Sequence, residues 1–362
     1  MSKKVFVMMS GGVDSSVAAS ILIEQGYDVS GVYMKCWSKD QLDKLGLSQD
    51  LYACNWEDDV EDAKAVAKRL NIPFQVWDFQ LKYRQKVVEY MINEYRIGRT
   101  PNPDVMCNSV IKFGIFYQKA IEKGVDFVAT GHYARIIAGH QKLIARSKDG
   151  NKDQSYFLWK IKREQLDHIL FPVGEFESKA EVRQYAQEKN LITASKKDSQ
   201  GLCFVGQTPL RQLLLEAIGQ KDGDIVNSVG NILGKHQGSH LYTIGQRGKL
   251  GLSGGPWFVS KIDIAKNEVI VAHQDEEKLL YGTKISLIDA NFFVDYDNVK
   301  TNTLSAQIRY RQAAEACSLE QKDGSLEITF NRPVRAIAAG QSIVIYNSDI
   351  MLAGAVIDKV LE

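Results

Sequence analysis

Val5-Phe6-Val7-Met8-Met9 runs directly into Ser10-Gly11-Gly12-Val13-Asp14-Ser15-Ser16, and on this stretch the fold turns. Five apolar residues cut off by two glycines have the length and abrupt end of a strand buried on both faces. Behind the glycines, Val17, Ala18, Ile21 and Leu22 share one helical face, so a helix is expected from about Ser15 to Gln25, stopped at Gly26. Val29 to Met34 supplies the next strand. The order returns with a helix at Ala63 to Leu70, a strand at Phe74 to Phe79, a helix at Ile115 to Lys123 and a strand at Phe127 to Thr130. Such alternation predicts an α/β fold with a doubly wound parallel sheet. Ligands of these sheets sit beyond the carboxyl ends of the strands, where the loops after Met9, Met34 and Thr130 are expected to converge.

Two glycines between a buried strand and a helix start let backbone N–H groups approach phosphate oxygens, and the helix N-terminus adds partial positive charge. Ser15 or Ser16 is also placed to cap the helix. A bare Gly-Gly is most often only a tight turn. The longer string is more specific, and it is neither a Walker A loop, since no Gly-Lys-[Ser/Thr] follows, nor the Gly-x-Gly-x-x-Gly of dinucleotide binders.

At 362 residues and 44% hydrophobic content the chain should form two or three domains. Past about Gly206 the texture becomes glycine-rich and β-like, and from Gly282 the stretches Leu304 to Tyr310, Leu326 to Phe330 and Ser342 to Tyr346 suggest a small barrel. Boundaries are expected at 1–206 for the catalytic domain, 207–281 for a small central linking domain and 282–362 for a C-terminal β-barrel. A net charge of +1 shows no global basic field. Locally, Lys39 to Asp62 holds eight acids against two bases, and Arg135 to Arg211 holds fourteen bases against nine acids. The second stretch suits a polyanion, although a solvated helical surface has the same composition. The N-terminal apolar run is too short for a signal core or a membrane span, so a soluble, cytoplasmic protein is expected.

The five cysteines form no CxxC pair and no dense framework. Cys107 lies in Arg99-Thr100-Pro101-Asn102-Pro103-Asp104-Val105-Met106-Cys107-Asn108, where two prolines should present Asn102, Asp104 and Cys107 on a stiffened loop. Cys203 lies in Lys196-Lys197-Asp198-Ser199-Gln200-Gly201-Leu202-Cys203-Phe204-Val205-Gly206, where paired lysines favour a thiolate and Gly201 permits a sharp turn. Cys36, Cys54 and Cys317 have no such setting and read as small buried hydrophobes.

The Ser10 to Ser16 string resembles the signature of the PP-loop ATP pyrophosphatases, which pass AMP to an oxygen atom and release pyrophosphate. The resemblance implies that Met8, Met9, Ser10, Gly11, Gly12, Val13 and Ser15 line the phosphates. By the same token Asp14 organises the loop and its Mg²⁺, Met34 contacts the adenine side and Gly131 completes the ATP site.

Further segments extend the likeness in order along nearly the whole chain: Pro101-Asn102-Pro103-Asp104-x-x-Cys107-Asn108, Thr130-Gly131-His132-Tyr133, Lys152-Asp153-Gln154-Ser155-Tyr156-Phe157-Leu158, the Cys203 segment, His236-Gln237-Gly238, Thr243-Ile244-Gly245-Gln246-Arg247, Arg309-Tyr310-Arg311-Gln312 and Gly340-Gln341-Ser342. Together they resemble the bacterial tRNA-specific 2-thiouridylase family. That resemblance implies ATP-dependent adenylation of the carbon-2 oxygen of the wobble uridine in Lys, Glu and Gln tRNAs. A Cys203 persulfide then delivers sulfur and Cys107 attacks the sulfur bridge, leaving a Cys107–Cys203 disulfide, with Asp104 as acid or base. It assigns Asn102, Pro103 and Asp104 to the target base, and His132, Lys152, Asp153, Gln154, Arg309, Tyr310 and Gln341 to tRNA. No fixed protein metal site is implied. A sulfur-relay protein or cysteine desulfurase is the implied partner.

Gln200 and Leu202 stand where many relatives carry Thr and Ile, and the 38–62 segment with Cys54 is longer than expected. Three alternatives remain open on the residues alone. An adenylating ligase with an amine nucleophile needs no thiols. An iron–sulfur cluster held by Asp104, Cys107 and Cys203 is a second route to sulfur transfer. An RNA-binding module with a purely structural Gly-Gly turn is the third.

Overall fold

The computed structural model describes residues 2–51, 56–197, 210–300, 303–322 and 324–362. Cys54, Gln200, Gly201, Leu202 and Cys203, each singled out above, lie outside the described residues.

The first sheet contains β1 (Lys4–Met8), β2 (Asp28–Lys35), β3 (Phe74–Asp78), β4 (Phe127–Ala129) and β7 (Ile169–Leu170), all parallel, in the order β3-β2-β1-β4-β7. Val5 and Val7 are fully buried, as a central strand covered by helices on both faces requires. Strand β1 pairs with β2 on one side and β4 on the other, so successive crossovers leave it in opposite directions. That reversal opens a crevice at the carboxyl end of β1, which is where the glycine loop emerges.

Helix α1 spans Val13–Glu24, and its N-cap is Gly12 without a side-chain cap. Ser15 and Ser16 do not cap it. Their hydroxyls turn back and donate to the Gly12 carbonyl at 3.1 and 2.9 Å, which leaves the first-turn N–H groups of the helix facing the crevice.

The second difference from expectation is larger. The Pro101 to Asn108 stretch is the start of a helix rather than a loop, helical from Pro103 and continuing without a break to Glu122. Asn102 is the N-cap and accepts from Val105 N at 3.2 Å, and Pro103 occupies the first helical position, where its missing N–H costs nothing. From Cys107 to Phe116 this helix is π-wound, a form usually seen as a single turn and often at functional sites.

The central region pairs β8 (Gly223–Asn227), β9 (Ile232–His236), β10 (Trp257–Asp263) and β11 (Glu268–His273) in the order β10-β11-β8-β9. Ile225, Val259, Val269 and Val271 alternate inward to form its core. The C-terminal region closes six antiparallel strands into a barrel: β12 (Tyr281–Phe292), β13 (Leu304–Gln307), β14 (Glu315–Lys322), β15 (Ser325–Arg335), β16 (Ser342–Asn347) and β17 (Ile350–Val360). Closure comes from β12, which pairs with both β15 and β17. Cys317 lies in this barrel core, where burial pushes its thiol up to about 12.

One hairpin crosses the expected boundary. Strands β5 (Ala134–Ile137) and β6 (Leu143–Arg146) leave the N-terminal region and extend the barrel sheet, with Ala145 opposite Ile350 and Arg146 N donating to Asp349 O at 2.9 Å. No helix among the described residues is long and apolar enough to cross a membrane.

Candidate active site

The glycine loop is held from both sides. Gly11 has φ +75°, and a Cβ there would lie 2.3 Å from the Asp59 carbonyl oxygen, so only glycine fits between loop and the Trp56–Leu70 helix. From the other side Gly131, just past β4, comes so close that its Cβ would lie 2.6 Å from Asp14 C and 2.7 Å from Ser15 N. The loops after β1 and β4 therefore meet. Ser10 N donates to Ser15 Oγ at 3.2 Å, and Thr193 donates to Ser16 Oγ at 3.0 Å. Met8, Met9 and Met34 are buried in the core beneath, Met34 within β2.

Asp14 receives Lys179 Nζ at 2.6 and 2.8 Å and the Tyr133 hydroxyl at 2.7 Å. Lys179 is the first residue of the Lys179–Glu188 helix, whose Ser178 cap accepts from Glu181 N and contributes about 1 kcal/mol. The sequence carries no local sign that Lys179 belongs to this site, because it lies far along the chain from Asp14. A Mg²⁺ ion held chiefly by substrate phosphates needs only one or two protein carboxylates, and Asp14 at the mouth of the loop is suitably placed. Among the described residues no three His, Cys, Asp or Glu side chains converge as a metal site, and of the cluster ligand set only Asp104 and Cys107 are described.

His132 is buried, with Nδ1 2.7 Å from Thr130 Oγ1 and Nε2 3.3 Å from Lys112 Nζ. Burial, and after it the Lys112 charge, hold its pKa well below 6.5, so the ring is neutral at pH 7. Below pH 6.5 the unfolded chain binds a proton that the folded one refuses. Stability is therefore full above that pH and is lost as pH falls toward the folded pKa, by up to about 1.4 kcal/mol per pH unit. Thermal melts from pH 7 to 5 should show this acid limb, and His132→Gln should flatten it. An unchanged slope would assign the limb to other groups.

The start of the Pro103 helix is a three-way junction. Thr100 N donates to Ala339 O in the C-terminal region at 2.8 Å, and Thr100 Oγ1 to Thr243 Oγ1 in the central region at 3.3 Å. The buried Tyr156 hydroxyl donates to Ser342 O at 2.8 Å and hydrogen-bonds with Asn102; burial first, and then Tyr346, raise its pKa, and the Arg309 charge and the Asn102 bond only partly offset this. Arg309 reaches Ile244 O at 2.8 Å, while its Nε is buried without a hydrogen-bond partner. Burial lowers the Arg309 pKa. Tyr310 packs on Phe157 with ring centroids 4.5 Å apart and the planes tilted by 48°. Asn102, Arg309 and Tyr310, distant in sequence, are thus gathered around Tyr156, and Gln341 precedes the Ser342 whose carbonyl accepts from it. Cys107 is 0% exposed, enclosed with Val105, Ile111 and Phe113, whereas Pro103 and Asp104 are half-buried.

Lys152 is half-buried, and its chain neighbours Asn151 and Asp153 line a cavity of about 470 Å³ together with Arg146, Tyr310 and Arg311. Asp153 does not face solvent. It accepts from Ser147 N, Ser155 N and Arg146 Nη1, all within 3.1 Å, and so acts as the knot of its turn. Gln154 accepts from Tyr133 N at 3.0 Å. Lys196, one of the paired lysines before Cys203, contacts Asp59 at 2.7 Å and Asp62 at 2.5 Å. Burial pulls its pKa down, but the two carboxylates outweigh burial and the net shift is upward.

Comparison with known families agrees with this layout. Residues 3–207 match the tRNA methyl transferase HUP domain, 211–273 the tRNA methyl transferase PRC-barrel domain, and 282–357 the aminomethyltransferase beta-barrel domain. The tRNA-specific 2-thiouridylase MnmA of Listeria monocytogenes serotype 4a is 43% identical over 99% of this chain and 95% of its own length. The protein of the same name from Geobacillus thermodenitrificans is also 43% identical over 99% and 95%. That from Francisella tularensis subsp. holarctica is 40% identical over 98% of this chain and 99% of its own. With its parallel sheet, linking domain and closed barrel in this order, the chain belongs to the tRNA-specific 2-thiouridylase family.

Proposed function

We propose that this protein uses ATP to replace the carbon-2 oxygen of the wobble uridine with sulfur in Lys, Glu and Gln tRNAs. The observation that carries the proposal is the three-way junction at Thr100 to Asp104. There the half-buried face of Asn102, Pro103 and Asp104 starts the same helix that carries Cys107 and, two turns on, Lys112 beside His132 and the Gly131 loop. A base and a nucleotide brought to this helix from opposite ends would share one crevice.

The uncapped first turn of α1 and the Gly11-Gly12 backbone would bind the β and γ phosphates, with Lys179 adding positive charge. Bound Mg²⁺, held by Asp14 and the phosphates, would supply further charge neutralisation. The uridine oxygen attacks the α-phosphorus and pyrophosphate leaves, which turns a poor leaving group into AMP. A Cys203 persulfide adds its terminal sulfur to carbon-2 and AMP departs. Cys107, as thiolate, then attacks the bridging Cys203 sulfur. The Cys203 S–S bond breaks, a Cys107–Cys203 disulfide forms, and 2-thiouridine is released with the electron pair on its sulfur. An external dithiol resets the disulfide, and a sulfur-relay protein or cysteine desulfurase reloads Cys203. In this reading Asp104 moves the proton, and Arg309, Tyr310, Gln341, Lys152, Gln154 and His132 contact the tRNA. The same reading puts the protein in the cytoplasm, with its tRNA substrates.

Unmodified Glu tRNA transcript incubated with the protein, ATP, Mg²⁺ and a persulfide donor should yield 2-thiouridine, AMP and pyrophosphate in equal amounts. Nucleoside analysis reads the first, and the nucleotide products read the others. Thiolation that persists without ATP, or ATP cleavage with no thiolated nucleoside, would sink the proposal. Iron analysis of the active protein separates a persulfide from a cluster-bound sulfide.

A further inference from the structure

Both donors to the Asp14 carboxylate are gripped from behind by one turn. Lys179, whose Nζ lies on Asp14, has its backbone N–H accepted by Asp149 Oδ2 at 2.9 Å. Tyr133, whose hydroxyl lies on Asp14, has its backbone N–H accepted by Gln154 Oε1 at 3.0 Å, and its carbonyl accepts from Gln154 N at 2.7 Å. Asp149 and Gln154 are the two ends of the turn that carries Lys152.

This turn is internally tied. Asp149 is only 6% exposed; its second oxygen accepts from Asn151 N at 3.0 Å, and its carbonyl accepts from Lys152 N at 3.1 Å. Asp153 binds the turn to Ser147, Ser155 and Arg146, and the Ser155 hydroxyl lies 3.0 Å from the Tyr346 hydroxyl of the barrel. A load on the half-buried Lys152 therefore cannot be absorbed by loose side chains. It displaces Asp149 and Gln154 together, and through them the lysine and the tyrosine that set the charge and position of Asp14. Tightly packed and hydrogen-bonded groups transmit displacement in this way, whereas a solvated loop would dissipate it.

We propose that Asp149 is a positioning residue that couples RNA binding at the 149–154 turn to the nucleotide loop, with Tyr133 as the second arm of the same link. The inference rests on the reading above in which Lys152 meets tRNA and the Ser10 to Ser16 loop meets ATP. RNA phosphate against Lys152 would seat the turn, align Lys179 and Tyr133 on Asp14, and prepare the loop for a triphosphate. ATP would then be bound in its productive state chiefly when the acceptor RNA is already present, which limits futile pyrophosphate release.

The test is a linkage measurement on the full chain. Dissociation constants are determined for an ATP analogue with a methylene between the α and β phosphates, with and without saturating unmodified Glu tRNA, and for that tRNA with and without the analogue. In the wild type each ligand should tighten the other by the same factor, about fivefold or more. Asp149→Ala removes both acceptors and should bring that factor close to one, even where it changes either affinity alone. Tyr133→Phe keeps the buried ring, loses only the hydroxyl bond to Asp14, and should reduce the factor. It decides the matter if Asp149→Ala does not fold.

Independent binding of the two ligands to the wild type overturns the inference and leaves the functional reading intact. So does a wild-type factor in both variants. Failure of the wild type to bind tRNA at all, with the ATP analogue still bound, overturns both and is recognisable as such.

Discussion

Cys107→Ala is expected to lower 2-thiouridine formation by on the order of 10³-fold or more, as removal of a nucleophile does elsewhere, while a single round of adenylation still releases pyrophosphate. The separation follows from position. Cys107 lies within the Pro103 to Glu122 helix, at the start of its π-wound part, and the glycine loop touches neither this residue nor its neighbours in the contacts described above. The thiol is fully buried in the hydrophobic core, so loss of one sulfur atom leaves a small cavity worth about 1 kcal/mol, far short of unfolding the protein. A melting curve close to wild type, together with a pyrophosphate burst and no thiolated nucleoside, is the expected combination. Retention of full thiolation would remove Cys107 from the reaction and assign release of the sulfur from Cys203 to another thiol. The same enclosure carries a mechanical consequence. A disulfide requires its two Cα atoms within about 7 Å and its sulfurs in contact, so the proposed Cys107–Cys203 disulfide would require the buried Cys107 thiol to become accessible.

Lys179→Met should reduce kcat/KM for ATP by about 10² to 10³-fold, the effect of deleting one charged group aimed at a transferring phosphoryl group. The Lys179 side chain is 14% exposed and its ammonium lies on both Asp14 oxygens, in the loop where a triphosphate of high negative charge must enter. Methionine keeps the aliphatic stem and removes the charge. Among the described side chains Asp14 then keeps the Tyr133 hydroxyl as donor while it faces the incoming phosphates, and like charge opposes binding. Lys179→Arg should restore part of the loss, because the charge returns while the ammonium geometry does not. Affinity for tRNA measured without nucleotide should stay near wild type. A variant with normal ATP kinetics would show that Lys179 only packs against the loop.

The two predictions draw on residues that differ in how visible they are in the sequence. Cys107 stands out by its proline-rich setting. Even so, those prolines were misleading about local structure: Pro103 stiffens the chain by opening a helix, not by holding a loop, because Asn102 before it supplies the cap. Lys179 is one lysine among many in a basic stretch. Its neighbours along the chain do not distinguish it from Lys189, which pairs with Glu24 at the surface.

What the amino-acid order determined by itself is what repeats at short range. Val5 to Met9, the two glycines and the apolar spacing of α1 specify strand, turn and helix. Their recurrence demands a parallel sheet, and the later alternation demands β structure that the chain closes into a barrel. These patterns are local, since a residue two or four positions away decides which face is buried. The tertiary structure alone decided the rest: that β5 and β6 leave the catalytic region to extend the barrel sheet, that Thr100 is pinned between the other two regions, that Asp153 and His132 are buried, and that Lys179 and Tyr133 meet on Asp14. Each of these pairings joins positions far apart in the chain and depends on which surfaces come together when the three regions pack. A polar side chain keeps the same identity whether it ends in water or in a buried carboxylate pair, and only packing distinguishes the two.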